Sequence, residues 1–98
     1  MPQMHFQVRW PDGREETCYS PSLVVREHLA VGGSYPVAEF VQRVHTALHI
    51  ASERVRAKYG YACSMALDQL SAIEAAASAY APDSRVRVLA FDPEEQTS

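Results

Sequence analysis

The chain opens on a strict alternation. Met4, Phe6, Val8 and Trp10 share one side, and His5, Gln7 and Arg9 share the other. A period of two over this stretch predicts a half-buried strand. Trp10-Pro11-Asp12-Gly13 follows. Its Pro, Asp and Gly come in the order of a type I turn that closes on a left-handed glycine. A second strand over about Arg14 to Tyr19 completes a hairpin, with Glu15 and Glu16 suited to an exposed edge. The pattern then changes. Ser20-Pro21 reads as an N-cap and first-turn proline for a short helix through Val25 and Leu29, ended by Gly32-Gly33. From Pro36 onward, Val37, Val41, Val44, Leu48, Ala51 and Val55 recur at alternating spacings of four and three, the seam of an amphipathic helix. Gly60 stops that helix, and Tyr61 is expected to pack back on Val55. Another helix begins near Ser64, carries Leu67, Leu70, Ile73, Ala77 and Tyr80 on its apolar stripe, and ends before Pro82-Asp83. The last strand is Arg85 to Phe91, β-branched at Val86 and Val88.

The order β-β-α-α-α-β, with the first helix short, predicts an α+β fold. Its expected form is a three-stranded β-sheet with a helical hairpin packed on one face. The domain spans residues 1–92, and 93–98 form a polar, flexible tail. The first strand is the most apolar and takes the centre, with the last strand beside it. An up-down pair of helices would return the chain parallel to strand one by a right-handed crossover. The alternative order puts strand two in the middle.

At 98 residues the chain is the size of one domain. Nine basic and twelve acidic side chains leave a net charge of −3. Such a balance argues against nucleic acid as a partner, because phosphate neutralisation needs clustered cations. No apolar run approaches the roughly 18 residues of a membrane span, and the first residues lack the basic and apolar regions of a signal peptide. Eight of the nine basic residues are Arg and there is no Asn, a bias that fits a GC-rich bacterial coding sequence. Cys18 and Cys63 form no CxxC pair. In the reducing cytoplasm, the expected compartment, both are thiols.

Candidate chemistry is sparse. Cys63 precedes Ser64 at a helix start, where the helix dipole would lower a thiol pKa, so it is the candidate reactive thiol. The competing reading is a buried structural thiol, as for Cys18. His45, His49 and Glu53 line up at intervals of four on the long helix and are the candidate metal ligands. They drift about 80 to 160° from the seam toward solvent, and no neighbouring Cys or Asp completes a shell. No metal or other cofactor is therefore expected. His5 and His28 read as surface residues. Arg54, Arg56 and Lys58 complement the negative end of the helix dipole and make no single patch. Gly32-Gly33-Ser34 lacks the lysine and spacing of a phosphate loop and reads as a linker. No Ser/His/Asp order suggests a triad, and Glu15 and Glu16 point to opposite faces, so they cannot flank one substrate. By alternation, Arg85, Arg87, Leu89 and Phe91 join Arg9 on the sheet face away from the helices. Two exposed large apolar side chains there would favour a covering partner, with the arginines as rim; cross-strand pairing with Glu15 or Glu16 is the plainer role for the arginines.

Five co-linear blocks carry a family resemblance. They are Met4 to Gly13 (MHFQVRWPDG), Cys18 to Ser22 (CYSPS), Tyr35 to Val41 (YPVAEFV), Arg54 to Ser64 (RVRAKYGYACS) and Ala66 to Leu70 (ALDQL). Together they resemble the small bacterial nitrogen starvation response family encoded in nitrilase-linked gene clusters, over roughly residues 1–91. The resemblance implies a setting beside a nitrilase, a radical-SAM protein, a flavoprotein and an acetyltransferase-like protein under nitrogen limitation. It implies no catalytic residue. With no catalytic constellation in the chain, the preferred reading is a non-catalytic accessory protein that associates through its sheet with itself or a co-encoded enzyme. A small thiol-dependent enzyme or redox element using Cys63, or a small-ligand or metal module using His45 and His49, stay open as alternatives.

Overall fold

A computed structural model describes residues 3–61 and 64–92. Strand β1 (Met4–Arg9) turns through Trp10-Pro11-Asp12-Gly13 into β2 (Glu15–Ser20). A 3₁₀ turn (Leu23–Glu27) and a loop lead to β3 (Ser34–Pro36), then to α1 (Val37–Tyr59), α2 (Ser64–Ala77) and β4 (Arg85–Asp92). The fold is α+β, as expected, but the sheet has four strands in the order β2-β1-β4-β3. β1 is central, with β2 and β4 on its two sides.

β3 was hidden in what reads as a linker. It is only three residues long and ends in Pro36, which is tolerated because an outer strand does not need that N–H. Its presence also reverses the expected direction of β4. Every neighbouring pair in the sheet is antiparallel. The helical hairpin connects β3 to β4, and its two ends lie together: the Val37 N–H donates to the Ser84 carbonyl at 2.7 Å and that of Ala38 to Pro82 at 3.1 Å. A connection that returns to its starting end makes the next strand run opposite to the previous one, so β4 is antiparallel to β3 and to β1.

The alternation of β1 does what its pattern predicts. Met4, Phe6 and Val8 are fully buried and Trp10 nearly so. Trp10 stacks on Tyr80 with ring centroids 5.5 Å apart and meets Phe40 edge-on at 5.7 Å. Its indole N–H donates to the Glu16 carboxylate at 2.9 Å, which satisfies the one polar atom that burial would otherwise strand. α1 buries Val37, Phe40, Val44, Ala47, Leu48, Ala51 and Ser52; Phe40 and Ala47 widen the seam beyond its valines. Gly60 ends it in the left-handed region at φ 85°, where a side chain would be strained. Tyr61 does not fold back on Val55. It is two-thirds exposed, and its ring lies 6.2 Å from that of Tyr59. On α2 the buried positions are Ala66, Leu70, Ile73 and Ala77, and Leu67 faces out. The short helix is capped by Ser22, whose Oγ accepts the Val24 N–H at 3.3 Å, rather than by Ser20. Ser20 is the last residue of β2 and donates to the Ser22 carbonyl instead.

The largest departure is in β4. Val8 faces Val88, but Gln7 faces Ala90, so Leu89 has no opposite residue in β1. This one-residue bulge shifts the parity of everything after it. Val86 and Val88 point to the helices, and so does Phe91, paired with Phe6 and 8% exposed. The expectation that Phe91 shares an open face with Arg85 and Arg87 is therefore corrected: a straight strand would expose it, and the bulge returns it to the core. Leu89 is half-buried.

The bulge has an energetic signature. Phe91→Ala should cost about 3 kcal/mol, as for a buried aromatic, and Leu89→Ala below about 1 kcal/mol. Urea unfolding of the two variants checks this, and equal losses would mean the parity shift is absent.

Candidate functional site

The helices cover one face of the sheet. On the other, the register places His5, Gln7 and Arg9 of β1 opposite Tyr19, Thr17 and Glu15 of β2. Arg9 pairs with Glu15 across the strands at 2.7 Å, an exposed pair worth little on its own. His5 meets the Tyr19 ring edge-on at 5.7 Å. Arg85 donates to the Oγ and the carbonyl of Ser34, both at 3.0 Å. The side chain of Arg87, opposite Arg9 in the β1–β4 register, has no hydrogen-bond or ion-pair partner among the described residues. The face thus gathers Arg9, Arg85 and Arg87 as the alternation predicts, without Phe91. A shallow depression of about 350 Å³ lies between His5, Gln7, Thr17, Ala90 and Asp92.

The edges differ in how they are guarded. Along β2, Glu15 and Glu16 discourage pairing, and the Tyr19 N–H is already taken by the Gln69 side chain of α2 at 2.8 Å. β3 is short and ends in proline. It covers β4 only from Arg85 to Arg87. Gly32 and Gly33 extend the cover by one residue, bonding the carbonyl and N–H of Val88 at 2.8 and 2.9 Å. Beyond Val88, no strand pairs with β4 on that side among the described residues. The uncovered segment, Leu89–Ala90–Phe91, forms one wall of a cleft of about 590 Å³, and Arg26, Leu29, Ala30 and Val31 form the other. Sequence reading missed this cleft. Its one signal was Ala30-Val31, an apolar pair beyond the short helix and just before two glycines, with no helical or strand periodicity to bury it.

The far wall is fixed in place. The Leu29 N–H bonds the Val25 carbonyl at 2.9 Å and the Gly33 N–H bonds Ala30 at 2.9 Å. The Ala30 N–H donates to the Tyr35 hydroxyl at 3.0 Å. Arg43 of α1 donates to the His28 carbonyl at 2.9 Å and lies over the Tyr35 ring. Gly33 has no room for a side chain: a Cβ there would come within 2.7 Å of the Tyr35 hydroxyl and 2.9 Å of the Ala30 carbonyl.

The other candidate groups do not converge. Cys63 lies outside the described residues, and so does any approach of it to Cys18. Cys18 is a free thiol, fully buried. Burial, helped by the nearby Glu16 charge, pushes it up to about 12, so it is neutral and inert at physiological pH. His45 and His49 stack in parallel with centroids 6.0 Å apart, but Glu53 is drawn to Arg56 at 3.6 Å. Among the described residues, no three His, Cys, Asp or Glu side chains are grouped to hold a metal ion. Near Trp10, the Arg14 N–H donates to the Asp12 carboxylate at 2.9 Å and holds that carboxyl below its usual value. Desolvation, with Asp12 beside it, raises the Tyr80 phenol. These two groups close the hairpin turn against the segment that follows α2, and among the described residues no nucleophile lines the spot.

Residues 5–91 match the family described as nitrogen starvation-induced protein NitG. The chain belongs to the NitG family. That is the nitrogen starvation response setting the sequence blocks imply, and the match spans every element from β1 to the end of the β4 apolar segment. No curated protein and no solved structure matches this NitG-family chain. Among the described residues, no helix is long and apolar enough to cross a membrane.

Two measurements check the side-chain chemistry. In a Cys63→Ser variant, a disulfide reagent at pH 8 should find no reactive thiol until the protein is unfolded. The raised Cys18 pKa also makes folding favour the neutral thiol. Its contribution is complete below pH 9, the ordinary thiol value, and is lost as pH rises toward 12. Chemical unfolding across that range should show a steeper alkaline loss in the wild type than in Cys18→Ala. For the histidine pair, protein purified without chelator should carry less than one equivalent of zinc, nickel or copper by elemental analysis. A full equivalent that disappears in His49→Ala would make it a metal site.

Proposed function

We propose that this NitG-family protein is a non-catalytic accessory protein of the nitrogen starvation response, acting by association with another protein through its sheet. The observation that carries the reading is the one-sided cover of the sheet. Helices shield one face, while the other presents Arg9, Arg85 and Arg87 on a chain whose net charge is −3. Arg9 is offset by Glu15, which leaves Arg85 and Arg87 as a local positive pair on an acidic molecule. Such a pair steers encounter with an acidic surface and rims a contact. The partner is a co-encoded enzyme of a nitrilase-linked cluster or a second copy of the chain, in the bacterial cytoplasm. The buried, neutral Cys18 and the two-ligand histidine pair lend no support to a catalytic role.

The test is co-purification of the tagged protein from nitrogen-limited cells, scored against each co-encoded protein individually. One of them, or untagged copies of the chain, should come down in stoichiometric amount. Arg85→Glu/Arg87→Glu, with an unchanged circular dichroism spectrum, should lower recovery about tenfold. A wild type that recovers neither, or a double variant that recovers its partner undiminished, would defeat the proposal.

A further inference from the structure

The sheet face that the helices leave bare is a small grid, fixed by the two registers of β1. Glu15, Arg9 and Arg87 make its first row. Thr17, Gln7 and Ala90 make the second, and Tyr19, His5 and Asp92 the third. The bulge at Leu89 is what brings Ala90 and Asp92 round to the side of Arg87. Charge is spread unevenly over the rows. In the first, Glu15 is taken by Arg9. Arg87 stands opposite Arg9 without a carboxylate of its own, and like charges facing across strands are unfavourable. The second row is uncharged. In the third, the Asp92 side chain is exposed and has no hydrogen-bond or ion-pair partner among the described residues.

The two ends of the face do not satisfy each other. Arg9 and His5 are four residues apart on β1, which sets the outer rows about 13 Å apart. That exceeds the screening length of about 8 Å at physiological salt. Each end therefore lacks the charge that the other end carries. A face with an unpaired cation at one end and an unpaired carboxylate at the other is complementary to itself, once a second copy is turned end for end.

We propose that this face takes a second copy of the chain, in a symmetric face-to-face pair whose twofold axis lies along the middle row. The pair is one form of the sheet association proposed above and rests on it. The axis lays β4 over β4 of the second copy in the opposite direction. Arg87 then meets Asp92 of the second copy, and the symmetry repeats the contact. Gln7 meets its own counterpart, an amide that both donates and accepts. Arg9, already offset by Glu15, lies over His5. An axis along the strands would instead set Arg9 against Arg9. The middle row has no long charged side chain to hold the sheets apart. The shallow depression of about 350 Å³ beside Ala90, with Asp92 in its lining, is open to the incoming guanidinium. Three rows on three strands cover far less than the about 800 Å² per partner of a standard interface. The dimer is therefore weak, reversible and sensitive to salt.

Sedimentation equilibrium of the full chain, loaded from about 10 to about 500 μM, tests the pair. The wild type should dimerise with a Kd on the order of 100 μM, and raising the salt from about 50 to about 500 mM should weaken it severalfold. Arg87→Asp and Asp92→Arg, each with an unchanged circular dichroism spectrum, should weaken association about tenfold. Either change alone sets like charges against each other across the axis. The double variant Arg87→Asp/Asp92→Arg restores opposite charges, and so does an equimolar mixture of the two single variants. Both should recover wild-type association to within about threefold. A wild type that stays monomeric up to about 500 μM, or a loss that neither the double variant nor the mixture recovers, would overturn the pair. The two readings fail separately. A monomeric wild type whose co-encoded partner is lost on Arg85→Glu/Arg87→Glu removes the second copy and keeps the sheet as a docking surface. A monomer that recovers no partner from cells removes both.

Discussion

A strand has only two faces, and β4 asks both of the same one. Val86 and Val88 must reach the helices, and so must Phe91, which stands an odd number of positions further on. The extra residue at Leu89 resolves the conflict. Because of it the β1–β4 pairing changes register between Val8 and Gln7, the Phe6–Phe91 pair closes the end of the core, and Ala90 replaces a large side chain on the open face. The same irregularity leaves Leu89 half-buried at the point where the pairing with β3 ends. Core, open face and uncovered edge all depend on that single insertion.

Much of this was legible from residue order, and the failures have physical reasons. Period two in β1 and the four-three seam of α1 are long patterns, repeated enough times to overcome local noise. Glu15 and Glu16 marked the outer strand, and Gly60 marked the helix end. What escaped was short or relational. Three residues ending in proline carry no periodicity, so Ser34–Pro36 reads as the end of the Gly32–Ser34 linker and the start of the long helix, and the expected direction of β4 is wrong with it. A bulge belongs to two strands at once and leaves no trace in either alone, so Phe91 was placed on the wrong face. Leu67 lost its expected place to Ala66 because α2 leans on the sheet as well as on α1.

The candidate site shows the same division. Arg9, Arg85 and Arg87 fall together on the open face, as alternation requires. The cleft wall at Leu29, Ala30 and Val31 had no pattern to announce it. It is assembled by hydrogen bonds from Tyr35, Arg43 and Val25, residues drawn from three separate segments. Its neighbour across the cleft is the distant end of the chain. Binding surfaces built from a loop and a remote strand are visible only once the topology has brought them together.

The central position of β1 has one more consequence. Its partner β4 lies far along the chain, with His5 opposite Asp92 and Arg9 opposite Arg87, so the sheet's middle seam closes around both helices. Contacts of that span form late and slowly, because a large loop must close before they give any return. During translation the apolar face of the β1–β2 hairpin has α1 and α2 above it but a missing neighbour at its flank. A transcript cut short before Arg85 would therefore yield a sticky fragment and not a smaller working version of the protein.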